Sequence, residues 1–229
     1  MRYKNYVVCL KHGTKYSSEY VNKLHSMVSR HLSLPHEFIC FTEDSYGLHK
    51  DIRVIDLQKN NLEGWWYKPT IFDPSLDING TILFIDLDVI IFNSINKFFE
   101  YKPDKFCIIR GFRKNNKHGM NSSCFRFNSK SFSKEYYDFI ENSKSIISRL
   151  DGDQDWMQET ISDYEFWPDD WLMSYKWDMV EQKNIKLVAS DSYEVDIDPK
   201  YYSETSISVF HGYPKPHQII NDWCQKHWR

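Results

Sequence analysis

Two aspartates interrupt the most apolar stretch of this 229-residue sequence. Asp86 and Asp88 lie within the run Thr81–Phe92, which otherwise has the composition of a buried strand. Residues two apart on a strand point to the same face, so the two carboxylates would repel each other and would be costly to desolvate. A divalent metal such as Mn²⁺ or Mg²⁺, which prefers carboxylate oxygen, is the simplest compensation. The alternative is that Asp86 and Asp88 straddle the strand end, cap a turn and face water.

A second group with chemical potential follows the last apolar strand. His211 and Lys215 belong to the segment His-Gly-Tyr-Pro-Lys-Pro, in which glycine and proline predict a stiff loop. A neutral imidazole suits Mn²⁺, and an ammonium group four residues later can neutralise phosphate charge. The alternative is a surface turn with a solvated lysine.

Alternating strand-like and helix-like segments must position these side chains. Short β-rich runs occur at Tyr6–Leu10, Phe38–Thr42, Ile52–Leu57, Thr81–Phe92 and Phe106–Arg110. Between the first two runs, apolar residues recur at helical spacing after Ser17 or Ser18, either of which can cap a helix. Strands buried on both faces and separated by helices predict an α/β fold with a mostly parallel central sheet flanked by helices.

The second half of the chain is less regular. Cys124–Phe127 and Ser206–Phe210 are predicted strands, Lys134–Ser148 and Asp155–Ile161 are predicted helices, and loops rich in tryptophan and tyrosine are expected after residue 161. The sequence shows no internal repeat and no linker rich in proline, glycine or serine. A single domain over residues 1–229 is therefore predicted.

Composition excludes several classes of protein. The 29 Lys and Arg residues nearly balance 32 Asp and Glu residues, and the pI is near 6.3, which argues against a nucleic-acid partner. No apolar run approaches the ~20 residues of a membrane span. The aromatic content of 17% predicts an aromatic core or an aromatic-lined cleft. Five widely spaced cysteines and an N-terminus without a recognisable leader predict a cytoplasmic protein.

Two enzyme families use a D-x-D pair of this kind. Haloacid-dehalogenase-like phosphohydrolases carry it on their first strand, with Thr or Val two places after the second Asp. Here about 80 residues come first, and that place holds Ile90. Asp169-Asp170 could stand for their later acidic motif, but Trp167-Pro168 precedes it instead of an apolar strand. GT-A glycosyltransferases, whose D-x-D holds a metal on a nucleotide-sugar diphosphate, are favoured over this alternative.

The order of the motifs resembles glycosyltransferase family 8 and its relatives of GT-A fold. The matching segments, in chain order, are Phe84-Ile85-Asp86-Leu87-Asp88, Asn121-Ser122-Ser123, Asp153-Gln154-Asp155 and His211 with Lys215-Pro216. The resemblance runs from about Tyr6 to His217 and departs from the family pattern at Ser123, Pro214 and His217. It implies a GT-A, Rossmann-like domain with a nucleotide-sugar-binding half (about 1–110) and an acceptor and catalytic half (about 111–229).

The resemblance also implies which residues would hold the metal and the diphosphate. Asp86, Asp88 and His211 would be the metal ligands, and Asp86 would also touch the sugar or ribose. Lys68 and Lys215 would bind the diphosphate.

Further residues would bind the nucleoside and the donor sugar. Asp153, Gln154 and Asp155 would lie beside the sugar as catalytic residues. The nucleoside would be surrounded by the run Val8–Tyr16, which includes Thr14, and by Thr42-Glu43-Asp44. The alternative for these residues is a place in the strand core or in turns.

The activity implied by the resemblance is a metal-dependent, retaining transfer of a hexose. The donor would be a UDP-sugar, and the acceptor would be a glycan or a lipid-linked molecule reached through peripheral association with a membrane surface. Several tryptophans near these segments could form an acceptor shelf or simply pack over the sheet: Trp65, Trp66, Trp156, Trp167, Trp171 and Trp177. A non-enzymatic carbohydrate-binding protein is the third hypothesis, and it leaves Asp86 and Asp88 unexplained.

Overall fold

The computed structural model describes residues 4–57, 62–112 and 119–229. The strands in these ranges are β1 (Lys4–Lys11), β2 (His36–Thr42), β3 (Arg53–Asp56), β4 (Gly80–Ile85), β5 (Val89–Ile91), β6 (Phe106–Arg110), β7 (Met120–Asn128), β8 (Tyr164–Phe166), β9 (Leu172–Ser174), β10 (Ile185–Ala189), β11 (Ser192–Val195), β12 (Ile207–Val209) and β13 (Ile219–Ile220). The α-helices are α1 (Ser18–His31), α2 (Lys97–Glu100), α3 (Ser133–Arg149), α4 (Asp153–Thr160) and α5 (Asp222–His227). Short 3-10 or π-helical segments span Gly64–Phe72, Tyr175–Met179, Gln182–Asn184 and Pro216–Gln218.

A seven-stranded sheet in the order β3-β2-β1-β4-β7-β6-β8 forms the centre of the molecule. Only β7 runs antiparallel to its neighbours β4 and β6, whereas the pairs β1–β2, β1–β4, β2–β3 and β6–β8 are parallel. The predicted α/β fold with a mostly parallel central sheet is therefore confirmed.

Both faces of this sheet are buried, which explains why its strands are apolar without alternation. Along β1, Val7 packs on the side of α1, and Val8 packs on the side of the 3-10 helix Gly64–Phe72, α3 and α4. Helix α1 begins directly after Ser17, and its buried face is apolar at three- and four-residue spacing, as predicted. The Ser17 side chain makes no capping hydrogen bond.

The prediction of one strand over Thr81–Phe92 is wrong. Strand β4 ends at Ile85, and the amide of Asp86 still donates to the carbonyl of Ser123 (2.8 Å) on β7. The chain then leaves the central sheet, and β5 pairs antiparallel with β12 in a separate three-stranded sheet. Because β-pairing partners come from distant parts of the chain, an apolar run does not show where one sheet ends and another begins.

The small sheet β5-β12-β9 brings the C-terminal loop to the aspartates. Where β12 ends, the amide of Phe210 donates to the carbonyl of Asp88 (2.9 Å). The loop that contains His211 and Lys215 therefore starts beside Asp88.

Other segments of the second half differ from the sequence-based expectations in their extent. Strand β7 is longer than the predicted Cys124–Phe127, and α4 begins two residues before the predicted helix. The region after residue 161, expected to form loops before the last strand, contains β8, β9, β10 and β11. These strands have three to five residues, too few for alternation to be recognised.

Candidate active site

A cavity of about 430 Å³ opens at the carboxyl ends of β1 and β4. Four segments line it: the turn after β1, the start of the 3-10 helix Gly64–Phe72, the turn after β4 with the start of β7, and the segment leading into α4. Ligands of open α/β sheets bind at this carboxyl edge. The cavity is therefore the candidate active site.

Lys68 links the first aspartate to a carboxylate from α4. Its ammonium group lies 2.9 Å from Asp86 Oδ1 and 3.5 Å from Asp153 Oδ2. It also donates to the hydroxyl (3.0 Å) and the carbonyl (3.3 Å) of Ser122. The Lys68 and Asp153 side chains are more than nine-tenths buried. Lys68 is thus a buried cation that holds two carboxylates on the floor of the cavity.

The second aspartate is held by a different set of partners. Tyr16 donates its hydroxyl proton to Asp88 Oδ2 (3.0 Å), and Lys215 donates to the same oxygen. Lys215 also donates to the carbonyl of Phe210 (3.1 Å) and is buried. The alternative that the two aspartates straddle a strand end describes the backbone correctly, but the carboxylates do not face bulk water: the Asp86 and Asp88 side chains are 24% and 12% exposed.

Burial shifts the proton equilibria of this cluster. Desolvation raises the pKa of Asp86, the charges of Asp88 and Asp153 raise it further, and Lys68 opposes the shift. Burial alone would lower the pKa of Lys68, but Asp153 and Asp86 outweigh it, so the pKa of Lys68 is raised. Burial and the neighbouring Asp88 raise the pKa of the Tyr16 phenol. Lys68 and Tyr16 therefore remain protonated donors at neutral pH.

The Asp153-Gln154-Asp155 segment forms the first turn of α4 and lines the cavity. Asp153 Oδ2 accepts no hydrogen bond from any described residue, although Lys68 lies near it. Desolvation and the charge of Asp151 raise the pKa of Asp155, which is half-buried. An incompletely satisfied buried carboxylate in a cavity can accept a hydrogen bond from a bound hydroxyl.

Three of the residues expected around a nucleoside do not line this cavity. Val8 is fully buried in the middle of β1, between Ile39 and Phe84. Thr14 and Asp44 are exposed, and Asp44 lies 3.8 Å from the ammonium of Lys11. The place of Val8 is therefore in the strand core, as the alternative held.

The end of β1 and the turn that follows it instead contribute Leu10, His12, Lys15 and Tyr16 to the cavity. All four fall within the run Val8–Tyr16 expected around the nucleoside, although the sequence assigns none of them an individual role. Their position at or just past the carboxyl end of a parallel strand is the signal that distinguishes them within that run.

His211 lies outside the residues that line the cavity. Its Nε2 is 2.7 Å from Ser174 Oγ, and its ring stacks on Phe112 and contacts Trp177. Within the described ranges, no three His, Cys, Asp or Glu side chains converge as a metal-ligand group, so His211 is not brought together with Asp86 and Asp88 in this arrangement.

The two aspartates nevertheless fit a divalent cation in their donor chemistry. Asp86 and Asp88 offer hard carboxylate oxygens to one cavity. Among the described ion pairs, the three carboxylates of Asp86, Asp88 and Asp153 share two ammonium groups, those of Lys68 and Lys215. With all three ionised, this balance leaves room for an additional positive charge.

Comparison with known proteins gives structural matches only. No protein-family model and no curated protein matches the chain. Among solved structures, galactosyltransferase LgtC in complex with donor and acceptor sugar analogues aligns with a TM-score of 0.61 at 13% identity, covering 92% of this chain and 88% of that one. The chain has the fold of a glycosyltransferase.

Two further structures show the same similarity. The glycosyltransferase GlyE of Streptococcus pneumoniae TIGR4 aligns with a TM-score of 0.57 at 16% identity over 74% of this chain, and the bifunctional WbbM aligns with 0.60 at 12% over 94%. The chain spans less than half the length of GlyE and WbbM, at 46% and 47%. The resemblance to glycosyltransferases inferred from the motifs is thus confirmed at the level of the fold.

The structural matches do not support the alternatives drawn from the sequence, a phosphohydrolase or a carbohydrate-binding protein without activity. In the described part of the chain, no helix combines the length and apolarity needed to cross a membrane.

Proposed function

We propose that this protein is a metal-dependent glycosyltransferase that moves a hexose from a nucleotide-diphosphate sugar to an acceptor. The observation that carries the proposal is the convergence of Asp86 and Asp88, each paired with a buried lysine, on a cavity in a glycosyltransferase fold. A sugar diphosphate needs positive charge at its phosphates and hydrogen-bond acceptors at its hydroxyls. Both are present in this cavity.

The lysines would bind the diphosphate and stabilise its departure. Negative charge grows on the leaving phosphate oxygens during transfer, and preorganised cations stabilise it where it develops. Lys68 has three donor positions and can contact a phosphate oxygen while it keeps its hydrogen bond to Ser122. Lys215 is fixed near Asp88 by the Phe210 carbonyl.

The metal would be Mn²⁺ or Mg²⁺, with Asp86 and Asp88 as ligands and His211 as a third ligand if its loop moves. When bound, the ion would supply Lewis-acid stabilisation of the diphosphate. The residue roles do not depend on which of the two ions is used.

The start of α4 would bind the donor sugar. Asp153 has a buried oxygen that accepts no hydrogen bond from the residues that the structure describes, which suits a sugar hydroxyl as donor. Gln154 or Asp155 would face the reacting carbon, where positive charge develops in an oxocarbenium-like transition state. We propose that the configuration at this carbon is retained.

The finer assignments follow from the resemblance described above. We propose UDP as the nucleotide, a glycan or lipid-linked acceptor, and action in the cytoplasm, with membrane association through peripheral contact.

A nucleotide-binding screen tests the proposal directly. Thermal unfolding is measured with UDP, GDP and their hexose conjugates, each with and without MnCl₂, and p-nitrophenyl phosphate turnover is assayed in parallel. We expect stabilisation by one nucleotide class only in the presence of metal, abolished in Asp88→Ala. Phosphomonoester turnover, or metal-independent full activity of EDTA-treated Asp88→Ala protein, would overturn the proposal.

A further inference from the structure

Trp65 differs from the other tryptophans of this protein in its solvent exposure. All eight lie in the described ranges, and Trp65 is the one that is exposed, at 50%. It also lines the cavity of the candidate active site. An exposed tryptophan on a cavity wall is a feature of ligand recognition rather than of core packing.

The neighbouring aromatic residues show that this exposure is specific to position 65. Trp66 is buried and stacks on Phe139 of α3. Tyr67 is buried and contacts the ring of His12 (centroids 4.5 Å apart). The 3-10 helix thus directs two of three consecutive aromatic rings into the protein and leaves the third at the cavity.

The Trp65 indole lies close to the backbone of Gly152. Its Nε1 lies 3.5 Å from the position that a Cβ on Gly152 would occupy. Gly152 is buried and immediately precedes α4, which carries the proposed sugar-binding residues. The indole therefore lies beside the segment proposed to bind the donor sugar.

Two carboxylates accompany the indole on this wall. Asp151 is exposed and Asp155 is half-buried, and both line the cavity. Negative charge at this position disfavours a phosphate group. A flat aromatic face beside hydrogen-bond acceptors suits a neutral, polyhydroxylated ring, whose C–H groups contact the indole while its hydroxyls donate to the carboxylates.

Trp65 and Asp151 lie nearer the mouth of the cavity than the residues of the proposed donor site. Lys68 and Asp153 are buried on the floor of the cavity, whereas Trp65 and Asp151 are exposed at its rim. A second substrate that enters after the donor has filled the floor meets the rim.

We propose that Trp65 and Asp151 form the acceptor site, with Asp155 at its boundary with the donor sugar, and that the acceptor presents a hexopyranose ring to the Trp65 indole. This inference rests on the proposed glycosyltransferase function, and it narrows the acceptor to a carbohydrate.

The test compares saccharide binding and nucleotide binding in the same variants. Wild type, Trp65→Ala, Trp65→Phe and the control Tyr202→Ala are prepared; Tyr202 is 62% exposed and does not line the cavity. Saturation-transfer NMR measures binding of methyl β-D-glucopyranoside and methyl β-D-galactopyranoside with UDP and MnCl₂ present. Calorimetry measures the Kd of UDP with MnCl₂, and circular dichroism checks folding.

Affinity for at least one pyranoside is expected to fall roughly tenfold in Trp65→Ala. Trp65→Phe, which keeps an aromatic face, should retain most of the affinity, and Tyr202→Ala should match wild type. The Kd of UDP should be the same in all four proteins.

Three results would overturn the assignment: no pyranoside bound by wild type, equal pyranoside affinity in Trp65→Ala, or loss of UDP affinity in Trp65→Ala. The last would place Trp65 at the nucleotide. Failure of wild type to bind UDP or GDP would instead refute the proposed donor. The pyranoside affinities of wild type and Trp65→Ala would still test whether Trp65 binds a sugar ring.

Discussion

Lys215 donates a hydrogen bond to the carboxylate of Asp88, which precedes it by 127 residues, and both side chains are about nine-tenths buried. The pair joins the turn after β4 to the loop after β12 at the edge of the candidate active site. Loss of one partner leaves the other charge buried without compensation.

The first prediction concerns this ion pair. Lys215→Met should lower the free energy of unfolding by about 3 kcal/mol, because Asp88 keeps only the Tyr16 hydroxyl as a side-chain donor among the described contacts. Asp88→Leu/Lys215→Met should recover much of that loss. Urea unfolding of wild type, both single variants and the double variant gives the coupling energy, and a value near zero would show that the pair does not contribute.

The second prediction concerns Lys68. Lys68→Met removes the cation shared by Asp86 and Asp153, so the affinity for UDP should fall by roughly tenfold or more. The matched control is Lys105→Met, whose ion pair with Asp163 is largely exposed. Calorimetry with UDP and MnCl₂ makes the comparison, and equal losses in both variants would exclude a specific role for Lys68.

The third prediction concerns Tyr16. Tyr16→Phe keeps the ring but removes the hydroxyl that donates to Asp88 Oδ2. A hydrogen bond that orients a metal-binding carboxylate is worth about tenfold in metal affinity. Electron paramagnetic resonance titration with Mn²⁺ should show this loss in Tyr16→Phe but not in Tyr46→Phe, where the tyrosine is 88% exposed. Unchanged Mn²⁺ affinity in Tyr16→Phe would contradict a positioning role.

The fourth prediction concerns the pH dependence of stability. Desolvation raises the pKa of Asp86 in the folded protein above its unfolded value of about 4. Between these two pKa values the folded state holds a proton that the unfolded state has lost, so this group lowers stability as pH rises through the window. Relative to Asp86→Asn, wild type should therefore lose stability from about pH 4 upwards, as urea unfolding across pH would measure. If the free energy of unfolding of wild type instead rises relative to that of Asp86→Asn as the pH increases, the pKa of Asp86 is lowered in the folded protein and not raised.

Much of the fold could be predicted from local patterns. The apolar runs of β1, β2 and β4 and the helical spacing of α1 identify a parallel α/β sheet, because strands covered on both faces carry little polar sequence. Asp86 and Asp88 stood out for the same reason: charged residues in such a run are rarely tolerated without a role.

The partners of these aspartates could not be read from the chain in the same way. Asp86 pairs with Lys68 and Asp88 with Lys215 because β4 and β5 belong to different sheets and the chain turns between them. The exposure of Trp65 beside two buried aromatic residues likewise depends on what packs against the 3-10 helix. Residue type and spacing encode the elements and the chemical groups, whereas long-range pairing and burial set which charges meet and which ring remains accessible to a ligand.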